Sequence, residues 1–485
     1  MVSLSKILQN IDLLESVDSQ ISINSIITDH RSIDHNDLFV AIKGTVTDSH
    51  QYIKEAINKG TSTVICEYIP DECPKDFNYI RVKNTREILG QLASNFYGNP
   101  SYKLKLIGVT GTNGKTTVTT LLNSLFSSLG YKTALISTVQ NIIGNEIIPS
   151  THTTPNPVSL NALLAKMVEK GCEYCFMEVS SHAIDQNRIG GLTFTGAVFT
   201  NITHDHLDYH KTFDNYLKVK KKFFDNLPSS AFALTNKDDR NGLVMLQNTK
   251  APKYSYSLKT IADFKGKIIE SDLNGLLLEI DATQAWYGIA GDFNAYNLLA
   301  AYGTAFLLGI EKGEIITALT KVRGAKGRFE ILRSETGVLG VIDYAHTPDA
   351  IKNILETINK ARSKNETLTT IIGCGGDRDK EKRPIMGDIV SQLSDKVIFT
   401  SDNPRTEDPE VILSEMKAGV KAQNFKKILK ITNREEAIQV AVSQAKKGDI
   451  ILLAGKGHED YQEINGVKTH FDDFEKLTQA FKNIQ

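Results

Sequence analysis

Residues 107–122 read IGVTGTNGKTTVTTLL, and this stretch fixes the class of the chain. A β-branched run ends at Gly111. A loop of Thr112, Asn113 and Gly114 follows, and Lys115, Thr116 and Thr117 open an apolar helix over 115–129 that Gly130 closes. Strand, glycine loop and helix start form a cradle for phosphate. The glycines let backbone N–H groups close on oxygens, the helix N-terminus adds positive potential, and Lys115 neutralises charge. Thr116 stands where a hydroxyl reaches Mg²⁺. The usual first loop glycine is displaced by one position, Val109 standing in its place with Gly108 before it. The reading is a nucleotide-phosphate site on a parallel α/β sheet.

Outward from this loop the same rhythm continues. KTALIST, YCFMEVSS and GAVFTNI read as strands, and Asn156, Pro157 and Gly171 frame a helix as N-cap, first-turn proline and terminating glycine. A Gly- and Arg-rich connector, VRGAKGRFEIL, interrupts the alternation. It restarts with GVIDYA, a helix from Pro348, LTTIIGCGG, a helix near IMGDIVSQL, KVIFT, a helix from Pro409, KILKIT, a helix from Asn433, and DIILLAG. Before the loop, short mixed elements end at FYGNPSYKL. The expectation is a three-domain α/β protein. A small α/β unit spans 1–100, a central P-loop-type parallel-sheet ATPase domain 101–330, and a Rossmann-like unit 331–485.

With 485 residues, 41% apolar and 23% charged, the chain has globular composition. A net charge of −1 gives no general pull toward nucleic acid or anionic membrane. No apolar run approaches the roughly 20 residues of a spanning helix. The opening MVSLSKILQNIDLLESV reads as an amphipathic helix and not a secretory leader. Cys172 and Cys175 form a C-x-x-C, but it runs straight into an apolar strand with no second pair, and buried reduced thiols are expected.

Two strand ends add chemistry. Glu178 closes the strand CFME, and FTNITHDHLDYH gathers His204, Asp205, His206, Asp208 and His210. Mg²⁺ prefers oxygen, so Glu178 is the better single ligand, and each histidine alone reads as packing or capping. The helix in TFDNYLKVKKKFFDNL then sorts its lysines. At about 100° per residue, Phe213, Tyr216, Leu217, Phe223, Phe224 and Leu227 fall within roughly 60° of Lys220, while Lys218 and Lys222 face away and Lys221 flanks. Lys220 is a snorkelling lysine or a buried, neutral amine able to react with CO₂. In the last third, VIFTSDNPRTEDPEVI brings Asp402, Asn403, Pro404 and Arg405 to a strand end. Asp408 and Pro409 read as the cap and first turn of the next helix.

Taken in order, GVTGTNGKTT, MEVSSHAIDQNRI, TNITHDHLDYH, GDFNAYNLLAA, GRFE, DYAHTPD, GGDRDKEKRP, DNPRTEDP and GKGHEDYQ resemble the Mur ligase family over nearly the whole chain. The resemblance implies an ATP- and Mg²⁺-dependent ligase of peptidoglycan precursor synthesis. Such an enzyme phosphorylates the D-glutamate carboxylate of UDP-N-acetylmuramoyl-L-alanyl-D-glutamate, and an amine then attacks the acyl phosphate. By resemblance, Gly111, Thr112, Asn113, Gly114, Lys115, Thr116, Thr117, Asn294, Asn297, Arg328, Asp343 and His346 bind ATP. Thr116, Glu178 and His206 serve the metal, and Lys115, Lys220 and His206 act in catalysis, with Lys220 carrying a CO₂-derived carbamate. Thr28, His30, Thr45, Val46, Thr47, His152, Thr153, Thr154, Ser180, Gln186 and Arg188 match contacts to the UDP-linked substrate. His30 stands where the family has serine, and His152 where asparagine is often found.

The resemblance also answers the strand-end loop. Diaminopimelate carries a distal carboxylate that lysine lacks, and a guanidinium fork suits it. Arg405 is the candidate, with Asp402 and Asn403 reading the distal ammonium. Arg378 would hold the carboxylate beside the attacking amine, and Gly455 and Glu459 complete the pocket. The implied partners are small molecules, the implied location is the cytoplasm, and a monomer is expected. An L-lysine-adding ligase and a folylpolyglutamate synthetase-like ligase are the alternatives.

Overall fold

The computed structural model describes residues 1–15, 20–44, 47–150, 152–363 and 365–483. Its centre is an eleven-stranded sheet among these residues. Six neighbouring strands, Thr133–Ile136, Tyr174–Glu178, Lys105–Thr110, Gly196–Phe199, Phe232–Asn236 and Lys253–Ser257, run parallel in that spatial order. The phosphate-loop strand therefore lies mid-sheet. Alternation along it sends Ile107 and Val109 to one face and Leu106 to the other. Helices Lys115–Ser128 and Asp292–Leu307 cover the first face, and Phe213–Asp225 covers the second.

The displaced glycine now has a physical reason. A side chain on Gly108 would meet Phe223 Cζ at 2.5 Å, so glycine here lets the Lys220-bearing helix press onto the strand. Val109 points to the opposite face, where bulk fills the core. Phe264–Asp272 adds parallel to Lys253–Ser257 at one edge, Gly275–Ile280 and Thr283–Tyr287 follow it antiparallel, and Gln140–Ile143 with Glu146–Pro149 extend the other edge.

After the connector, a six-stranded sheet has the order Glu330–Arg333, Leu339–Asp343, Ile450–Ala454, Leu368–Ile372, Lys396–Phe399 and Ile428–Lys430 among the described residues. All its pairs but the first are parallel. The first unit carries a four-stranded parallel sheet, Ile26–Ile27, Leu38–Val40, Thr63–Cys66 and Tyr79–Arg81. The architecture is three-domain α/β, with a central parallel sheet and a Rossmann-like sheet behind it.

One expectation fails. The N-terminal amphipathic helix is a single turn, Leu4–Ile7. Val2–Ser3 pairs instead with Ser22–Ile23, and Asn10 turns the chain with φ 59°. Leu4 and Ile7 bury against Leu89 and Leu92, contacts the local periodicity does not encode. The helix ends called from sequence do hold. Asn156 Oδ1 accepts from Ser159 N at 2.9 Å, and Gly171 takes φ 73° after Pro157–Glu169. Asn156→Ala is expected to cost about 1 kcal/mol of stability, read as a shifted urea midpoint at constant slope. All five cysteines are free and buried, Cys172 and Cys175 included. Among the described residues no helix is long and apolar enough to cross a membrane.

Candidate active site

The phosphate loop is tied down from several sides. Asn113 N donates to Asn201 Oδ1 at 2.9 Å, and Thr112 N to Asn201 O at 2.8 Å. Lys115 Nζ donates to Gly111 O (2.9 Å) and Thr112 O (2.8 Å), so the ammonium lies folded within its own loop. Burial pushes its pKa down, and Glu178 and Asp205 oppose that shift. A side chain on Gly114, whose φ is 89°, would meet Asn297 Oδ1 at 2.5 Å. Asn297 in turn donates to Asn294 Oδ1 at 2.8 Å, so both asparagines back the loop. Thr117 is buried in the first turn of the helix.

At the helix start three segments converge on one hydroxyl. Thr116 Oγ1 donates to Glu178 Oε1 at 2.9 Å and accepts from Arg328 Nη2 at 3.2 Å. Glu178 also accepts from Thr138 N (2.8 Å) and Thr138 Oγ1 (3.1 Å). Thr138 is a site neighbour that the sequence reading missed. Arg328 comes from the connector and lies over the Tyr344 ring, 4.4 Å from its centroid. Asp343, whose carboxyl burial pushes up to about 6, accepts from Phe329 N at 2.7 Å and so fixes the connector. His346 Nδ1 pairs with Tyr344 O at 2.8 Å. Asn113 Nδ2 reaches Asp349 Oδ2 at 3.2 Å across the same cleft.

Lys220 lies where helical geometry put it. It is 1% exposed, while Lys218 and Lys222 are exposed, and Lys221 pairs with Asp225 at 2.6 Å. Its Nζ donates to Gly111 O at 2.9 Å and sits 4.8 Å from the Tyr216 ring centroid. Burial pushes the amine far below the ordinary lysine range, and the Lys115 ammonium pushes the same way. His206 takes φ 55° at the start of Leu207–His210, with Nε2 3.4 Å from Asp205 Oδ2. Desolvation in the cleft pushes its pKa down while Asp205 pulls it up. Its ring packs edge-on against His182 at 4.9 Å.

A second cluster adjoins the Glu178 strand end. Thr154 Oγ1 donates to Glu178 O (2.8 Å) and accepts from Ser180 N (3.2 Å). Arg188 holds Thr154 O (2.9 Å) and Gln186 Oε1 (2.7 Å), and Thr153 accepts from Thr138 at 2.9 Å. His152 is exposed nearby, desolvation and the Arg188 charge lowering its pKa. The first-domain candidates stand apart. His30 stacks on Tyr52 at 4.0 Å and faces Glu55 at 3.3 Å, Thr28 is half-buried, and Thr47 is exposed. Among the described residues, none of their hydrogen bonds, ion pairs or ring contacts pairs them with Thr153, Thr154, Ser180, Gln186 or Arg188. Thr45 and Val46 lie outside the described residues.

The third set lies at strand ends of the Rossmann-like sheet. Arg405 has φ 51°, a costly conformation for a non-glycine residue. A hairpin, Tyr461–Ile464 and Val467–His470, holds it there. Arg405 N donates to Glu463 O at 3.0 Å, and Asn465 N to Arg405 O at 2.7 Å. The guanidinium reaches Gly376 O at 2.8 Å and lies 3.7 Å from Glu463 Oε2. Pro404 is buried beside it, and its carbonyl lies 1.9 Å from where a Cβ on Gly376 would stand. Arg378 is exposed and has no ion pair among the described residues. Asp402 and Asn403 are buried, and a side chain on Gly455 would meet Asp402 Oδ2 at 2.7 Å. Asn403 is engaged on both sides of its amide. Nδ2 donates to Glu459 Oε2 (2.7 Å), and Oδ1 accepts from Glu463 N (2.9 Å). The loop of Gly455 and Glu459 also packs backbone to backbone on the connector. A side chain on Gly327 would meet His458 N at 2.1 Å, and one on Gly457 would meet Gly327 O at 2.6 Å.

The arrangement is one cleft between two sheets, with a phosphate cradle on one wall and paired acids and guanidiniums on the other. Known proteins resemble the chain over its length. Residues 22–97 match the model "Mur ligase family, catalytic domain", 109–305 "Mur ligase middle domain", and 327–457 "Mur ligase, glutamate ligase domain". The protein of Cytophaga hutchinsonii named UDP-N-acetylmuramoyl-L-alanyl-D-glutamate--2,6-diaminopimelate ligase is 55% identical, covering 94% of each chain. That of Phocaeicola vulgatus with the same name is 52% identical over 99% of this chain and 100% of its own. A solved structure of a ligase of that name superposes with a TM-score of 0.70 at 32% identity, covering 100% of this chain and 99% of its own. From the tethered phosphate loop to these full-length likenesses, the chain belongs to the Mur ligase family.

Proposed function

We propose that this protein is the ligase that joins meso-diaminopimelate to the D-glutamate of UDP-N-acetylmuramoyl-L-alanyl-D-glutamate at the expense of ATP. The observation that carries the reading is Thr116 Oγ1, bonded at once to Glu178 of the central sheet and Arg328 of the connector. That contact ties the phosphate cradle to the connector that leads into the third domain, which supports a reaction space shared by ATP and the incoming amine. The likeness to ligases named for diaminopimelate, above 50% identity, supports the choice of amine.

In this reading residues 1–100 take the uridine end, 101–330 the ATP, and 331–485 the incoming amino acid. Thr28, His30, Thr45, Val46 and Thr47 are assigned to the uridine end by their match to the family's segment. His152, Thr153, Thr154, Ser180, Gln186 and Arg188 line the muramoyl-peptide path. Asn294, Asn297, Asp343 and His346 frame the nucleotide, and the loop from Gly111 to Thr117 takes its phosphates. Lys115 and Arg328 neutralise the charge that builds where carboxylate and triphosphate meet. The donors here suit Mg²⁺, since the Thr116 hydroxyl and Glu178 carboxylate are hard oxygens. Thr116 and Glu178 would hold one Mg²⁺ and His206 would serve a second, and they would supply charge neutralisation at phosphate. The neutral Lys220 amine forms an N–C bond with CO₂ and releases a proton, giving a carbamate that stands in for a carboxylate. Arg378 holds the carboxylate beside the attacking amine, and Arg405 the distal one. The enzyme works as a monomer in the cytoplasm.

Phosphate release with ATP, Mg²⁺ and the UDP-linked dipeptide tests the reading against an amine panel. Diaminopimelate is expected to support turnover, with L-lysine lower in kcat/KM by at least about tenfold. Equal use of lysine would reassign the amine, and turnover of a folate substrate would reassign the ligase.

A further inference from the structure

Beneath the amine-facing loops lies a lysine with no role so far. Lys456 is 0% exposed. Its Nζ lies 3.5 Å from Glu459 Oε2 and 3.9 Å from Asp402 Oδ1. It donates to Asn403 Oδ1 at 3.4 Å and to the Tyr461 carbonyl. It therefore touches every polar side chain of the ammonium pocket. Glu459 is already engaged by Asn403 Nδ2 at 2.7 Å and the Tyr344 hydroxyl at 3.3 Å. The Asp402 carboxylate, 6% exposed, accepts no hydrogen bond among the described residues. Its one ion-pair partner among the described residues is Lys456.

We propose that Lys456 is a positioning residue that sets the charge of the amine pocket. Its ammonium offsets one of the two carboxylates, leaving a single net negative charge, held on Asp402, for one substrate ammonium. This rests on the function proposed above and adds the residue that sets how many cations the pocket takes. The surroundings agree. Burial and Asp402 raise the Glu459 pKa, and Lys456 opposes them. Asn403, Tyr344, Tyr461 and Arg434 are the other polar or charged groups facing that carboxyl. With Lys456 removed, a proton takes its place on the pair and competes with the substrate ammonium. KM for diaminopimelate then falls as pH rises through the raised Glu459 pKa.

The test compares K456M, E459Q and the double variant, each checked for a cooperative thermal transition. E459Q leaves Asp402 cancelled by Lys456, and KM for diaminopimelate is expected to rise about tenfold or more. Adding K456M restores one net negative charge, so the double variant is expected to recover about threefold of that loss. K456M alone is expected to show the pH-dependent KM, with KM for ATP unchanged. A double variant that binds diaminopimelate worse than E459Q would overturn the proposal, because a packing role for Lys456 predicts additive damage. Should K456M not fold, the double variant, whose charge is rebalanced, still decides. Failure of the wild type to use diaminopimelate would overturn the substrate reading itself, a separate result.

Discussion

Lys220→Ala is expected to lower kcat by about 10²–10³-fold, the scale of losing one preorganised charge partner at the reacting phosphate. The argument begins in the sequence, where one lysine of four sits in the apolar stripe. Packing then closes the site, because Tyr216, Val219, Phe223 and Phe224 bury with it on the same helix. Burial favours the neutral amine, and a neutral amine captures CO₂. In the proposed function the result is a negative group beside the phosphate loop without a carboxylate side chain. Short carboxylic acids are therefore expected to restore part of the alanine variant's rate, and bicarbonate depletion to slow the wild type. A role in packing alone predicts neither. Unchanged kcat in Lys220→Ala would remove the carbamate from the mechanism.

Arg405→Ala is expected to raise KM for diaminopimelate by about 10–100-fold with a smaller change in kcat, since a remote substrate contact is lost. Both residues have a Cβ, so the strained φ at this position is retained and the change reads the side chain. Lysine, which lacks the distal carboxylate, is expected to be used no worse than before, so selectivity collapses. Arg405→Lys keeps the charge but not the fork, and an intermediate KM is expected. Equal loss for diaminopimelate and lysine would mean that Arg405 only shapes the loop.

The parts legible in the sequence are those whose signal is local. The phosphate loop, the caps at Asn156 and Pro157, and the inward face of Lys220 follow from spacing. Parallel strands buried on both faces gave continuous apolar runs that set the sheet rhythm. What escaped depends on partners distant in the chain. The N-terminal helix yields to pairing with Ser22–Ile23, which no local period announces. Lys456 reads as an ordinary loop lysine until Asp402, some fifty positions earlier, lies beneath it. The hairpin over Arg405 was available. Asn465 and Gly466, with φ 48° and 77°, form the two-residue turn that Asn-Gly between alternating residues signals.

The contact of Gly327 with Gly457 has a mechanical consequence. Two backbones meeting without side chains have nothing to repack, so the segments travel as a pair. One segment carries Arg328, which reaches Thr116 at the phosphate loop, and the other carries Glu459. In the proposed function, a shift of the Glu459 segment on seating the amino acid would carry the Arg328 segment with it, so that acceptor loading and carboxylate activation would keep common time.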